Sequence, residues 1–467
     1  PACLTCCPFS CLTGCVATPE KFLKGILMLT LQKAARPLKG TITVPGDKSI
    51  THRAIILGSL AKGKTEVRGF LKGDDCLSTI RCLSSLGIEM EEEEERLLVH
   101  GRGLYGLHAA DLPLDAGNSA TTTRLMTGIL AAQPFSSEIG GDASLNRRPM
   151  KRILHPLGQM GADIISKNRN ECCPLLIHGK ELHGITYESP IPSAQVKSCI
   201  LLAGLYCEEA TAIIEETLSR NHTELLLPDL GAKIECRPLS DGRILTLLHP
   251  GSSLSASQIR IPGDFSSAAY FIAAALLVPG SEIRIRNVGI NPTRTGFLQI
   301  LHRMGAEIRL DNAVLASEPY ADLIVRYSQL HGDTNGRITI GKKIIPTLID
   351  ELPLLAVIAS LSECEMVLQD ATELRVKESD RIASTCENLK AMGADVQSRK
   401  DGMKICGHPC KSHPLHGATI DPHHDHRIAL SFAVAALLAD GETRIPDEDC
   451  IRISYPSFFT DLKKVLS

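Results

Sequence analysis

Lys48, Ser49 and Arg53 fall within the first two turns of the apolar run "SITHRAIILGSLA". Cations at the start of a helix that must be buried cost free energy unless something pairs with them. The same crowding recurs along the chain. Asn118 and Arg124 open "NSATTTRLMTGILAAQ", with Ala120 between them. Gln195 opens "SAQVKSCILLAGLY", Asp350 opens "DELPLLAVIASLSE", and Arg427 opens "DHRIALSFAVAALLAD". Arg148 in "NRRPM", Arg220 in "SRNHTE", and Lys377, Glu378 and Arg381 in "RVKESDR" stand at the starts of further helices. A helix N-terminus already favours anions, but its dipole contributes at most about 2 kcal/mol. Added Lys and Arg oppose that dipole. They make sense where phosphates and carboxylates come between them. The implied chemistry is the binding of more than one anionic group.

The elements that position these residues form an internal repeat. Six apolar helical runs, anchored at Ser49, Ser119, Ser193, Ser266, Asp350 and Asp425, recur every 70 to 84 residues. Each opens on Ser, Asn or Asp, the residue types that cap helices. Each is apolar nearly all round, which predicts burial on every side. Most end in a turn and a β-branched strand such as "TEVRG" or "ETRIP". A second helix follows in five units and ends at Gly87, Gly161, Gly231, Gly305 or Gly393, each leading into a strand. The unit reads as strand, buried helix, strand, amphipathic helix, strand. Solenoid repeats are usually shorter, about 20 to 50 residues, so the expected packing is three units plus three. The break falls near "SQIRIPGDF", where the Pro-Gly-Asp turn of residues 45–47 returns at 262–264.

Composition removes other readings. The 467 residues carry a net charge of −3, which argues against a general nucleic-acid or membrane-surface binder. No apolar stretch reaches the length of a membrane span. Seventeen cysteines suggest a secreted disulfide scaffold, but the chain is far too long and core-rich for one. Five of them lie in "CLTCCPFSCLTGC", and residues 1–27 are expected to be a disordered Cys-rich leader. "GSLAKGKT", residues 58–65, matches the Walker A pattern, but it follows a helix and opens a strand, the reverse of a phosphate loop. His423 to His426, "HHDH", suits no standard zinc spacing.

"PGDKSITHRA", "GDASLNRRPM", "SAQVKS", "RVKESDR" and "DHRIALSF" resemble, in order, motifs of the 5-enolpyruvylshikimate-3-phosphate (EPSP) synthase family, over residue 36 to the C-terminus. The resemblance implies a two-domain inside-out α/β barrel of six βαβαββ units. Residues 47–260 would form one domain, and 28–46 with 261–467 the other. It implies transfer of the enolpyruvyl group of phosphoenolpyruvate to shikimate 3-phosphate, with no cofactor and no metal. By that analogy Lys48, Ser49, Arg53, Ser193, Ala194, Gln195, Arg220, Asp350 and Lys377 hold shikimate 3-phosphate. Lys48, Asn118, Ala120, Arg148, Gln195, Arg381 and Arg427 hold phosphoenolpyruvate. Asp350 is the general base, and Glu378 and Lys48 are the candidates for protonating the methylene carbon. The expected protein is a cytoplasmic monomer with small-molecule substrates.

Three departures accompany the resemblance. Ala120 replaces a Gly of many members and, with "SAQVKS", is similar to the class II, glyphosate-tolerant branch. Ile453 in "CIRISYP" stands near a slot where some members have Lys, with Arg452 beside it. Asn221 replaces an Asp of class II relatives. The alternative is the UDP-N-acetylglucosamine enolpyruvyl transferase, which typically has a Lys-Asn pair at Lys48-Ser49 and a reactive loop Cys in its N-terminal half. A non-catalytic repeat scaffold with anion pockets is the third reading.

Overall fold

A computed structural model describes residues 28–94, 96–407, 415–447 and 449–466; the expected leader, residues 1–27, lies outside them. The helices are α1 (Lys48–Leu60), α2 (Asp74–Ser85), α3 (Ala120–Leu130), α4 (Lys151–Gln159), α5 (Ala194–Gly204), α6 (His222–Asp229), α7 (Phe265–Leu277), α8 (Gly296–Arg303), α9 (Leu352–Ser360), α10 (Arg381–Ala391), α11 (His426–Ala436) and α12 (Phe458–Leu466). The odd-numbered helices are the six apolar runs. Every residue of α7, α9 and α11 is buried. The even-numbered helices are the amphipathic second helices, with apolar faces turned inward and polar faces left exposed.

Sheets lie outside this helical core. Five four-stranded sheets share one order. In three of them the strand before a buried helix pairs parallel with the strand after it, and in all five the strand after the helix continues into an antiparallel hairpin. In the second unit Leu114–Asp115 runs parallel to Ser136–Gly140, which pairs with Leu175–His178 and then Asp163–Ser166. The unit is therefore βαβαββ, one strand longer than the sequence pattern alone suggested. The Walker-like stretch is the end of α1 turning into the strand Lys62–Arg68. It opens no helix.

Two strands are exchanged between the halves of the chain. Lys39–Thr43 precedes α1 yet pairs with Glu282–Gly289 of the fourth unit. Gln258–Arg260 precedes α7 yet pairs with Lys62–Arg68 of the first. The two crossovers are the Pro-Gly-Asp turns, and they lie back to back. Gly46 and Gly263 form an antiparallel bridge. Asp47 N donates to Pro262 O at 2.9 Å and Asp264 N to Pro45 O at 2.8 Å. Buried side chains gather into two clusters. One joins Leu29–Val44 to residues from Phe265 onward, and the other runs from Ile50 to Ile261.

The helix starts correct the sequence reading by one or two residues. Ser119 and Asp425 cap α3 and α11 as expected, whereas Asp47 and Asp264 accept the first free N–H groups of α1 and α7. Ser49, Ser266 and Asp350 are not caps. The carboxylates at 47 and 264 are the better acceptors and leave the residues after them available. The five glycines that end second helices have φ between +85° and +98°, a region that a side chain rarely adopts.

Candidate active site

Capping by Asp47 places Lys48 at the first position of α1, where its Nζ lies 3.0 Å from Asp75 Oδ2. Burial would strip the proton from Lys48, but Asp75 and then Glu378 outweigh it and hold the ammonium charged. Arg53, one turn on, is buried and fully engaged. Its Nε donates to Thr223 Oγ1 at 2.8 Å, Nη1 to Ser49 O at 2.9 Å and Nη2 to Ser198 Oγ at 2.8 Å. Its Nη2 also lies 3.5 Å from Ala194 O, beside the α5 cap Ser193. Burial lowers Arg53 to about 10, still above neutral pH. One guanidinium thus ties α1, α5 and α6 together.

Arg148 reaches the start of α3, donating to Asn118 Oδ1 at 2.5 Å and Asn118 O at 3.2 Å. Ala120 is the first residue of α3 and is buried. Arg124 donates to Gln195 Oε1 at 2.5 Å, while Gln195 Nε2 donates to Thr121 Oγ1 at 2.9 Å. Burial, with Arg152 and Arg148 nearby, lowers Arg124 to about 10.

The C-terminal units supply the carboxylates. Arg381, the first residue of α10, has a side chain only 1% exposed. It contacts Asp350 at 3.0 Å, Glu378 at 2.7 Å and Asp425 at 2.8 Å. Asp350 also faces Arg220 at 2.6 Å and Lys377 at 3.9 Å. Burial pushes its carboxyl up, but Arg220, Lys377, Arg427 and Arg381 together hold it well below the usual range. Glu378 is likewise pushed up by burial and pulled well down by Arg381, Arg148 and Lys377. Lys377 is lowered by burial, with Asp350 opposing. Arg427 stays charged against its burial beside Tyr270 and Asp350.

Residues from both halves therefore meet. Arg220 and Asp350 pair directly across the seam, Arg148 acts on Glu378, and Glu378 and Arg427 act on Lys48. Sequence reasoning missed Asp75, the partner of Lys48. Its signal was positional, because "GDD" opens the second helix of unit one, the slot that Arg148, Arg220 and Lys377 occupy in other units. Ile453 packs against the C-terminal core, so it offers no cation, and Arg452 beside it is exposed. Asn221 Oδ1 accepts from Asn291 Nδ2 at 2.8 Å, a second link across the seam. A cavity of about 1310 Å³ lies instead behind the crossovers, lined by residues including Gly46, Arg68, Gly263 and Asn287. At the convergence itself, facing charges pair with each other.

The histidine cluster splits apart. His423 and His424 are exposed, with His424 Nδ1 2.5 Å from Asp447, whereas His426 is buried. Burial and neighbouring Lys48 and Arg427 hold His426 well below the ordinary imidazole range. Among the described residues no group of three or more His, Cys, Asp or Glu could hold a metal ion.

Residues 32–462 match the family model of EPSP synthase (3-phosphoshikimate 1-carboxyvinyltransferase). The chain belongs to the EPSP synthase family. It is 47% identical over 439 residues to a 3-phosphoshikimate 1-carboxyvinyltransferase of Brevibacillus brevis, spanning 94% of this chain and 100% of that one. A Thermoanaerobacter relative of the same name is 48% identical over 428 residues, 91% of this chain and 97% of that one. The solved EPSP synthase of Acinetobacter baumannii superposes with a TM-score of 0.82 at 40% identity, covering 94% of this chain and 98% of that one. The inside-out α/β architecture expected of an EPSP synthase is the one found. The rival transferase needs a reactive thiol in the N-terminal half. There burial raises the thiols of the buried Cys82, Cys173 and Cys199 to about 12 and of Cys207 to about 11, holds that of Cys76 well above the ordinary range, and raises that of the exposed strand residue Cys236 as well. Such thiols are inert.

Proposed function

We infer that this EPSP synthase transfers the enolpyruvyl group of phosphoenolpyruvate to the 5-hydroxyl of shikimate 3-phosphate, releasing phosphate, on the route to chorismate and the aromatic amino acids. One observation carries the reading of the site. Lys48, Arg148, Arg220, Lys377, Arg381 and Arg427 converge, from both halves, on Asp350 and Glu378. Two polyanions repel each other, so a site that joins them must first neutralise both.

In this reading Lys48, Ser49, Arg53, Ser193, Ala194, Gln195, Arg220 and Lys377 take shikimate 3-phosphate, and Asp350 faces its 5-hydroxyl. Asn118, Ala120, Arg148, Gln195, Arg381 and Arg427, with Lys48, take phosphoenolpyruvate. Asp350 accepts the hydroxyl proton as the oxygen bonds to the central carbon of phosphoenolpyruvate. Lys48 or Glu378 delivers a proton to the methylene carbon. The tetrahedral adduct then loses phosphate and the proton just gained, restoring the double bond. Without substrates, four cations hold Asp350 ionised and a weak base. Anionic substrates that engage those cations raise both carboxyls toward useful values. No step needs a cofactor.

Residues 47–260, and 28–46 with 261–467, are read as the two bodies that close on the substrates, supported by the two apolar clusters. Ala120 at the start of α3 and the "SAQVKS" motif support a class II, glyphosate-tolerant site. A cytoplasmic monomer that acts on neither nucleic acid nor membranes fits the net charge of −3. No described helix is long and apolar enough to cross a membrane. The test is phosphate release from phosphoenolpyruvate on adding shikimate 3-phosphate, against UDP-N-acetylglucosamine and an Asp350→Asn control. Turnover with the nucleotide sugar instead, or with neither, overturns the reading.

A further inference from the structure

Arg152 lies one helical turn beyond Arg148, on α4. Its guanidinium crosses the seam to Glu373 and pairs with both carboxylate oxygens, Nη1 to Oε2 at 2.7 Å and Nη2 to Oε1 at 2.8 Å. Glu373 sits four residues before Lys377, in the short helical turn Thr372–Val376. That turn is fixed to its own half. Arg375 donates to Lys400 O at 2.8 Å, to Arg399 O at 2.6 Å and to Asp380 at 2.6 Å. Glu373 is therefore presented by a rigid turn. Both partners of the ion pair are 39% exposed, so burial does not require the contact. An exposed pair usually contributes little, but a bidentate Arg–carboxylate with fixed ends is the favourable exception.

We propose that Arg152 and Glu373 form a positioning latch for the enolpyruvyl transfer inferred above, on which this inference rests. The latch draws the segment carrying Lys377, Glu378 and Arg381 against the segment carrying Arg148. It also removes one charge from a crowd of arginines, since Arg124 feels both Arg152 and Arg148. Neither latch residue touches the reacting atoms. The latch fixes the spacing of Arg148 and Arg381, read above as holding phosphoenolpyruvate, so it sets the concentration of phosphoenolpyruvate that half-saturates the site.

The test is steady-state phosphate release with shikimate 3-phosphate saturating and phosphoenolpyruvate varied. The variants are Arg152→Ala, Glu373→Ala, the double alanine, and Arg152→Glu/Glu373→Arg. Each single alanine is expected to raise KM for phosphoenolpyruvate about five- to tenfold with kcat within twofold, as loss of a well-formed ion pair predicts. The double alanine is expected to be no worse than either single, and the charge swap to recover most of the loss. Melting temperatures stay near wild type, which separates positioning from folding. Additive singles, an unimproved swap or an unchanged KM overturn the latch alone. A wild-type protein that releases no phosphate overturns the functional reading with it.

Discussion

Arg220 donates to Asp350 at 2.6 Å across the seam between the two halves of the chain, from the loop before α6 to the turn before α9. Each is the other's counter-ion. In the reaction proposed above, a substrate anion that takes Arg220 would free Asp350 from that pairing, which couples the strength of the proposed base to substrate binding. Replacing Asp350 by Asn retains an acceptor for Arg220 but removes the proton acceptor. Turnover is expected to fall about 10²- to 10⁴-fold, the usual worth of a general base. Shikimate 3-phosphate binding by calorimetry is expected to persist. Turnover within tenfold of wild type would show that another group takes the hydroxyl proton.

Ala120 carries the expectation of glyphosate tolerance. It is the first residue of α3, beside the capping Ser119 and near the Asn118–Arg148 pair. A methyl at that place narrows any pocket built on the helix start. Ala120→Gly is expected to lower the half-inhibitory glyphosate concentration at least tenfold, with a much smaller change in KM for phosphoenolpyruvate. Low-micromolar inhibition of the wild type at ordinary substrate levels would contradict the premise outright.

The sequence made the buried helices legible because each apolar run is long and capped, and the convergent cations legible because six units repeat the pattern. It concealed pairings that depend on tertiary contact. Asp47 and Asp264 look like turn residues, yet each caps a helix. Arg294 joins them, 3.1 Å from Asp264 and 3.7 Å from Asp47, while donating to Ser266 at 2.7 Å. No local periodicity announces a buried arginine in "NPTRTG". A repeat also went unread. Leu-His pairs at 107–108, 182–183, 330–331 and 415–416 fold back on second-helix ends. Each His N donates to the carbonyl before the terminal glycine, and each ring occupies the place a glycine Cβ would need. Two residues are too short a signal to stand out without the structure.

The crossover turns tolerate no side chain at Gly46. A Cβ built there falls 1.8 Å from Gly69 O and 3.3 Å from Ile261 Cγ2. The first neighbour is backbone, so relief requires the strand end to move. Overpacking costs about 1–3 kcal/mol and sometimes more, and Gly46→Ala is expected at or above the upper end. The turn also sets Asp47 and Lys48, so KM for shikimate 3-phosphate should rise. Gly158→Ala is the control, because it lies in α4 with open space around the new Cβ. There the substitution should stabilise by about 0.5–1 kcal/mol. Urea midpoints for the two variants are expected to move in opposite directions.

His52 gives the acid dependence of stability. It is fully buried on α1, with Nδ1 2.7 Å from Thr79 Oγ1, and Thr79 in turn is 2.7 Å from Thr122 Oγ1. Burial lowers its pKa to about 3, with Asp75 opposing and Lys48 and Arg53 assisting. The unfolded chain has an ordinary imidazole near 6.5. Between those values the unfolded state binds the proton and the folded state does not, so stability rises with pH. It is fully present above about 6.5 and is lost as pH falls toward 3. From pH 6.5 to 5 the loss is roughly 2 kcal/mol for this one group, and His426, also depressed, adds to it. Asp350 and Glu378 have depressed carboxyls, so their contribution is lost only below the ordinary carboxylate range and is constant in this window. The expected result is a melting temperature that falls between pH 6.5 and 5, with a shallower slope for His52→Asn, whose amide can still meet Thr79. An unchanged slope in that variant would mean that His52 is protonated in the folded protein.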